Sequence, residues 1–419
     1  MRRSRWTRGA ATTIALGLSL TLGMLPAAAG SSANVDGALV LGHLGPETGE
    51  LAPVLESLRT PVRLAVDEIN AAGGIDGTPV TLLTGDEGAD ATTAGQALDT
   101  MLDAGADAII GPASSSTALE ILDAAKGRAL VCSGSNSAAA LTKEGPRRSG
   151  NLYFRTSPPD RFLGPALAEQ ILAAGHRGVA LIARDDAFGD LVASTLAKAL
   201  RDGGAKVPAV VRYDPDSDDV SPQVERALDA TPQAVAVIGQ LEDGAAVVRA
   251  LVAAGAGPQQ LPIYGTDTLY SSAFAELVDP VNPGVVAGLS GTAPASAPSG
   301  VTSPFHDAFA VTGIDPVFSA HSYDCTILTA LAAVKARSDD PTKMAKVFVS
   351  NLKGANDCST FAACRDLLVA GKTIHWRGAS SSFEQFGKFE PTEGVYQPWA
   401  YDTDGTPRDG DPATQVTIS

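Results

Sequence analysis

Positive charge is scarce in this sequence. Lys and Arg together number 31 against 47 Asp and Glu, which gives a formal net charge of −16 at pH 7. Beyond the N-terminus the basic residues do not gather into clusters. Proteins that bind nucleic acids meet the phosphates with clustered Lys and Arg side chains. The composition therefore argues against nucleic acid as a partner.

Long apolar segments are missing after about residue 30, so no later part of the chain is expected to cross a bilayer. The early apolar run spans residues 10–25, with four Arg residues before it and Pro26 after it. A charged start, a short apolar core and small residues at Ala27 and Ala29 are typical of a secretory signal peptide. An uncleaved anchor is the alternative, but this core is shorter than a membrane-spanning helix. We expect residues 1–29 to be removed from an exported protein, periplasmic or secreted.

Cysteine is rare, and no Cys follows the apolar run, where a lipid-anchored protein carries its modified residue. Behind an export signal, disulfides are the expected state of the four cysteines, and three pairings are possible. Cys358 and Cys364 are close enough to close a small loop, which leaves Cys132 with Cys325. A zinc site is the alternative, but it usually shows C-x-x-C pairs or nearby His ligands. We therefore expect two disulfides and no metal.

The motifs of common enzymes are absent as well. The five His residues form no H-E-x-x-H pattern, and no G-x-S-x-G elbow occurs. Gly255 and Gly257 lack the third glycine of a dinucleotide-binding fingerprint. We expect no catalytic residues and no cofactor, and hence a protein that is not an enzyme.

What the chain does contain is a regular alternation of strands and helices. Short apolar runs such as Ala108–Ile110 and Ala234–Ile238 alternate with stretches of helical spacing such as residues 61–70. Unbroken apolar strands separated by helices are typical of parallel sheets covered on both faces. The sequence predicts a doubly wound α/β fold. One series ends near residue 142 and a second spans 179–264, so we expect two lobes with a hinge or loop at the Ala/Pro/Ser-rich segment 292–304.

Two hydroxyl-rich loops follow successive strands of the first series. Ser114 and Ser115 belong to the segment Gly111–Thr117, which comes directly after the strand Ala108–Ile110 and before a helix. Residues 133–137 follow the next strand. Free N–H groups and the helix dipole favour an anion at such a position. Plain helix capping is the alternative for either loop alone. Because both loops should lie side by side, we expect them to hold one carboxylate, with Ser135, Asn136 and Ser137 from the second loop.

In the second series Asp267 follows a strand, where its carboxylate can accept a ligand ammonium. Capping of a helix predicted over residues 268–277 is the alternative. Phe188 and Gln240 stand near the ends of neighbouring strands. In open α/β sheets ligands bind at these carboxyl ends, so two facing lobes would form a cleft there.

Several motifs occur in a specific order: Gly45-Pro46, residues 66–75 (VDEINAAGGI), Gly111-Pro112, the two serine loops and Tyr323-Asp324. In this order they resemble the leucine/isoleucine/valine-binding protein family over essentially the whole mature chain. The resemblance implies a type I periplasmic binding protein, with two doubly wound Rossmann-like lobes joined by a three-stranded hinge. We place the N-terminal lobe at residues 36–156 plus 292–378 and the C-terminal lobe at 157–291 plus 379–415.

The family also implies roles for single residues. Ser114 and Ser137 match hydroxyls that meet the ligand carboxylate, and Ser135 matches a backbone contact. Asp267 matches the acceptor of the α-ammonium. Phe188 stands where relatives usually have Tyr, Gln240 falls where relatives carry an aromatic, and the first loop, residues 47–58, is longer than usual. Phe318 resembles an aromatic at the pocket edge, with a core position as the alternative.

The expected function is capture of a small amino-acid-like ligand in the cleft by hinge closure, and its delivery to an ABC permease in the cytoplasmic membrane. We expect a monomer. A ligand-sensing receptor module of the same fold is the alternative, as is a binder of an amide or small carboxylate.

Overall fold

The structure is a computed structural model and describes residues 35–419. The predicted signal peptide lies outside these residues. None of the helices within 35–419 is long and apolar enough to cross a membrane.

The first lobe is built on a five-stranded parallel sheet of order β2-β1-β3-β4-β5. Its strands are β1 (Val40–Gly45), β2 (Thr81–Asp86), β3 (Ala108–Ile110), β4 (Leu130–Ser133) and β5 (Tyr153–Arg155). Successive residues of β3 and β4 face opposite sides of the sheet, so Ile110 enters one apolar core and Ile109 the other. Helices cover both faces, as the unbroken apolar strands predicted.

Eight helices and a small two-stranded sheet complete this lobe. The helices are α1 (Leu55–Ala71), α2 (Ala91–Asp103), α3 (Ser115–Ala125), α4 (Leu141–Ser149), α10 (Pro304–Ala310), α11 (Ser319–Ala336), α12 (Pro341–Val347) and α13 (Phe361–Val369); the small sheet pairs β11 (Asn356–Cys358) with β12 (Ile374–Trp376). Helix α1 begins six residues before the predicted start at Pro61, which lies inside the helix. The long first loop predicted over residues 47–58 is therefore partly helical.

Both predicted disulfides are present in this lobe. Cys132 of β4 pairs with Cys325 of α11 at a Cα–Cα distance of 5.8 Å, and Cys358 pairs with Cys364 at 5.3 Å. Helix α11 begins at Ser319 and is buried over nearly its whole length. The first disulfide therefore ties the sheet to the central helix of the lobe.

The second lobe is built on a sheet of order β14-β13-β10-β9-β8-β6-β7, with β15 paired to β13. Its strands are β6 (Val179–Arg184), β7 (Val210–Tyr213), β8 (Ala234–Ile238), β9 (Ile263–Gly265), β10 (Ser290–Pro294), β13 (Gly394–Tyr401), β14 (Pro407–Asp409) and β15 (Val416–Ile418). Its helices are α5 (Leu163–Ala173), α6 (Ala187–Asp202), α7 (Ser221–Asp229), α8 (Leu241–Ala253) and α9 (Phe274–Val278). The apolar residues of β6 and β8 alternate between two cores, one on each side of the sheet.

The chain passes between the two sheets three times, between β5 and α5, between β10 and α10, and between β12 and β13. Mixed α/β architecture with parallel sheets and three crossings confirms the predicted fold class. The segment 292–304, predicted as a hinge or loop, begins inside β10 and becomes irregular only after Pro294.

The prediction of a single helix over residues 268–277 is wrong. The chain forms a short 3-10 turn at Asp267–Leu269 and then α9 from Phe274. The Tyr401 hydroxyl lies 2.7 Å from the carbonyl oxygens of Leu269 and Ser271, and it accepts a hydrogen bond from the Ser271 N–H at 3.2 Å. The hydroxyl of a residue far away in the sequence thus satisfies the backbone groups that a continuous helix would have paired.

Candidate ligand-binding site

A cavity of about 510 Å³ lies where the carboxyl ends of the two sheets meet. Its volume falls in the range of small-molecule sites. Seven of the eight residues predicted to contact a ligand line it: Ser114, Ser115, Ser135, Ser137, Phe188, Gln240 and Asp267. Phe318 lines it as well, so this aromatic is not confined to the core.

The first serine loop begins α3, and Ser114 is its N-cap. The Ser114 side chain accepts a hydrogen bond from the Thr117 N–H at 3.3 Å and lies 2.8 Å from the Ser116 hydroxyl. Capping and exposure to the cavity therefore coexist in one residue. The N–H groups of Ser115 and Ser116 are the first of the helix and have no partner within it.

Glu87 is a buried carboxylate beneath this loop that the sequence did not reveal. It follows β2, is only 1% exposed, and accepts hydrogen bonds from the Ala113 N–H and, at 3.1 Å, from the Ser114 N–H. Burial raises the pKa of Glu87 to about 7, against the lowering effect of these two backbone hydrogen bonds. Two of the N–H groups expected to hold a ligand anion are thus already bonded to the protein.

The second serine loop is fixed to the first by buried hydrogen bonds. Ser133 donates to the Pro112 carbonyl at 2.9 Å, and Ser135 donates to the Ala113 carbonyl at 3.2 Å. The Asn136 amide donates to the carbonyls of Pro112 and Ala113 at 3.0 and 2.9 Å, and its oxygen accepts from the Tyr153 hydroxyl at 3.2 Å. Asn136 is fully buried by these contacts and is not among the residues that line the cavity.

Asp267 lies on the opposite wall, directly after β9. It is 5% exposed, and its Oδ1 atom has no hydrogen-bond partner among residues 35–419. Burial, and after it the negative charge of Asp160, raises the pKa of Asp267 to about 7. A buried carboxylate oxygen without a donor is costly, and a ligand cation would remove that cost.

Asp160 is a second acidic group that the sequence analysis missed. It lies in the first crossing, lines the same cavity, and its carboxylate is hydrogen-bonded to Ser137. Burial raises its pKa to about 6. The position of Asp160 in the sequence could have indicated this role. It comes five residues after β5, and the two serine loops likewise follow the carboxyl ends of strands.

Arg184, at the end of β6, brings the only guanidinium among the cavity-lining residues. Its Nε lies 2.7 Å from Asp186 and its Nη1 lies 2.6 Å from Asp243. Asp243 also accepts hydrogen bonds from the Tyr213 hydroxyl and from the Gln240 N–H. This network fixes the backbone of Gln240, which lines the cavity as Phe188 does.

A family model described as periplasmic binding protein matches residues 38–365. The chain belongs to the periplasmic binding protein family. Members of this family and the structures similar to this chain are solute-binding proteins and not enzymes. The resemblance to leucine/isoleucine/valine-binding proteins is confirmed.

Two curated relatives of this periplasmic binding protein cover most of its length. A chemotactic signal transduction system substrate-binding protein, BasB of Halobacterium salinarum, is 27% identical over 83% of this chain and 82% of its own. A leucine-, isoleucine-, valine-, threonine- and alanine-binding protein of Pseudomonas aeruginosa is 23% identical over 73% of this chain and 81% of its own.

Solved structures share the fold. LivJ of Streptococcus pneumoniae, in complex with isoleucine, has a TM-score of 0.68 at 18% identity and covers 91% of this chain and 99% of its own. A solute-binding protein of R. palustris in complex with benzoate has a TM-score of 0.66 at 18% identity, with 90% and 97% covered. These periplasmic binding proteins support the type I architecture.

Proposed function

We propose that this protein captures an α-amino acid, or a close analogue, in the cavity between its lobes and delivers it to an ABC importer. One observation carries the proposal: a hydroxyl-rich wall from the first lobe and the unpartnered buried carboxylate of Asp267 line the same cavity. The two walls offer separate places for the carboxylate and the ammonium of one small zwitterion.

The ammonium would bind between Asp267 and Asp160. Both carboxylates are at least nine-tenths buried, and Asp160 already raises the pKa of Asp267. A cation between them would favour the ionised form of both groups and relieve their repulsion. Asp267 Oδ1 would gain the hydrogen-bond donor that it lacks.

The ligand carboxylate would bind the serine wall. The Ser114 hydroxyl and the N–H groups of Ser115 and Ser116 remain for this purpose, because Glu87 occupies the Ala113 and Ser114 N–H groups. Ser135 and Ser137 would close the other side of the carboxylate. The ligand side chain would then extend toward Phe188 and Gln240.

Two further parts of the proposal concern export and motion. Residues 1–29 would direct export to the periplasm or the outside of the cell, and the mature protein would act as a monomer. The lobes, at residues 36–156 plus 292–378 and 157–291 plus 379–415, would close about the three crossings when ligand binds. Small-angle scattering should show a smaller radius of gyration with saturating ligand, and an unchanged radius would count against closure.

Sensing is the second candidate function. The relative from Halobacterium salinarum is named as part of a chemotactic signal transduction system, and it matches this chain over 83% of its length. A binder of this fold can present its closed form to a receptor instead of a permease. The benzoate complex of the R. palustris protein likewise keeps a small carboxylate open as an alternative ligand.

A thermal-shift screen of mature protein against amino acids, amides, small carboxylates and sugars tests the proposal. A ligand that binds only the folded state must raise the melting temperature. We expect shifts of several degrees with α-amino acids and none with sugars. Shifts confined to ligands without an ammonium would retain the solute binder but remove the role of Asp267.

A further inference from the structure

The charges that line the cavity are strongly unbalanced. Six charged side chains reach it: Glu50, Glu87, Asp160, Asp186, Asp267 and Arg184. Five are acidic and one is basic. An α-amino acid with a neutral side chain brings one positive and one negative charge, so it would leave this imbalance unchanged.

The single guanidinium cannot offset the acidic groups. Arg184 already contacts the carboxylates of Asp186 and Asp243, at 2.7 and 2.6 Å. This group of three therefore carries a net negative charge when all are ionised. These two contacts engage Nε and Nη1 of Arg184, so its positive charge is shared by two carboxylates.

Three of the remaining carboxylates have identifiable roles at the amino-acid head group. Glu87 is bonded to the backbone of the first serine loop, whereas Asp160 and Asp267 face the proposed ammonium position. Asp267 is nine-tenths buried and keeps one oxygen without a partner. These contacts leave Glu50 without a role at the head group.

Glu50 makes no hydrogen bond or ion pair with any other residue in 35–419, although it lines the cavity. It belongs to the segment before α1, is exposed to solvent, and lies within electrostatic range of charged residues of the second lobe. Partial burial raises the pKa of Glu50, Arg184 lowers it, and Asp243, Glu242 and Asp216 raise it further. Three of these four charged neighbours are acidic, so a ligand cation nearby would favour the ionised form of Glu50.

Apolar side chains line the same cavity as Glu50. Leu51, Val54 and Leu58 line it from the first lobe, and Phe188 and Leu241 line it from the second. Such walls suit the methylene stem of a long cationic side chain, which buries its carbon atoms and leaves its charge at a polar end.

We propose that the ligand carries a second positive charge, as in an amino acid with a guanidinium or ammonium side chain, and that Glu50 accepts this group. The inference rests on the proposed function, because it places the head group at the serine wall and at Asp267. The acidic residues of the cavity would thus select a ligand with a cationic side chain.

Matched pairs of ligands test the proposal on mature protein by calorimetry. Arginine and citrulline share size and polarity but differ in charge, and lysine differs from norleucine by its terminal ammonium. We expect arginine or lysine to bind at least about tenfold more tightly than its neutral partner, as a charge-assisted hydrogen bond would give. Equal or tighter binding of both neutral ligands would overturn the proposal.

Two variants distinguish direct contact between Glu50 and the ligand cation from long-range attraction by the negative charge of the protein. Glu50→Gln should reduce the affinity ratio of arginine to citrulline at least about fivefold, through weaker arginine binding. Glu242→Gln removes one exposed negative charge near the same region without altering the cavity lining, and it should leave the ratio unchanged. Equal effects of the two changes would assign the preference to long-range charge and remove Glu50 as the acceptor.

The outcome also separates this proposal from the one on which it rests. Tight binding of neutral amino acids with rejection of arginine and lysine would retain the amino-acid binder and overturn the cationic side chain. Absence of binding by every α-amino acid would overturn both.

Discussion

Asp267 combines almost complete burial with an oxygen that lacks a hydrogen-bond donor. In the unliganded protein this arrangement costs stability, since a buried charge needs a partner. In the liganded protein the same arrangement contributes affinity. Asp267 therefore increases ligand affinity and lowers the stability of the free protein.

Replacement of Asp267 by Asn should separate these two effects. We expect Asp267→Asn to weaken amino-acid binding by about 10- to 100-fold, because a charge-assisted contact becomes a neutral one. The melting temperature of the unliganded variant should stay equal or rise. Asp229→Asn, an exposed carboxylate on α7, is the matched control for calorimetry and thermal melting. Unchanged ligand affinity in Asp267→Asn would refute the assigned role.

The raised pKa of Asp267 gives a pH dependence of defined sign. The folded-state pKa is about 7, above the unfolded value of roughly 4. The stability that the protonated form contributes is therefore full below about pH 4 and is lost as the pH rises through 7. Ligand ammonium needs the ionised form, so affinity should increase from pH 5.5 to 8. Titration calorimetry across this range measures the slope, which Asp267→Asn should flatten.

Sequence reasoning led to Ser114, Ser137 and Asp267, which line the cavity, because each lies close after an apolar strand. It did not identify Glu87 or Asp160. Glu87 acts on Ala113 and Ser114, 26 and 27 residues away, through a parallel sheet whose strand order the sequence does not state. Such contacts depend on which strands are neighbours, and that is a property of the assembled sheet.

At the scale of elements, the serine wall consists of two loops joined to each other and to α11. The disulfide Cys132–Cys325 lies at the base of the second loop, and a Cβ atom on Gly134 would approach the Ser322 backbone nitrogen to 2.5 Å. The loop is thus packed directly against the start of α11. Little room remains for it to move independently.

The two disulfides should differ in their effect on stability. In the chain-entropy model Cys132–Cys325 closes a loop of 193 residues and contributes about 5 kcal/mol, whereas Cys358–Cys364 closes one of 6 residues and contributes about 2 kcal/mol. Urea unfolding of the two Cys-to-Ser double variants should rank them in this order. Loss of ligand affinity in the first variant alone would show that its disulfide also positions the serine loop.

Elements were predicted well where burial alone determines them. The strands β3 and β8 have the predicted bounds because every residue in them is buried. The helix predicted over 268–277 failed because the Tyr401 hydroxyl, about 130 residues away, satisfies its backbone groups. Pro61 likewise suggested a helix start, but preceding residues extend α1 toward Leu55.

At the scale of the whole molecule, charged residues connect two of the three crossings. Arg155 ends β5, where the first crossing begins, and its side chain is fully buried. Its Nη2 lies 2.5 Å from Glu390 in the third crossing, and Arg161 lies 3.1 Å from the other oxygen of Glu390. Arg155 also donates to the carbonyls of Asn136 and Ala138, in and beside the second serine loop.

Glu390→Gln should therefore be strongly destabilising, by about 3–5 kcal/mol, because it leaves the buried charge of Arg155 uncompensated. Glu384→Gln provides a control in the same crossing, since its partner Arg377 is partly exposed and such pairs contribute at most about 1 kcal/mol. Urea unfolding followed by tryptophan fluorescence measures both. A similar loss of unfolding free energy in the two variants would contradict the idea that burial of Arg155 makes its ion pair more important.

The motif order in the sequence was sufficient for the family and the two-lobed architecture. It was not sufficient for the contacts between crossings, because Arg155 and Glu390 are 235 residues apart and each is an ordinary charged residue in its local sequence. Their pairing follows from the repeated passage of the chain between the sheets.

The elements that share a core are also far apart in the order of synthesis. Strand β4 is complete at Ser133, whereas α11, which packs on it and carries the partner of Cys132, begins at Ser319. Strand β10 has its second neighbour only when β13 begins at Gly394. The first lobe is therefore complete only after β12 ends at Trp376, and β10 of the second lobe has an unpaired edge until β13 begins at Gly394. Late completion of this kind would keep the chain unfolded during the proposed export, since a translocation pore admits only an unfolded chain.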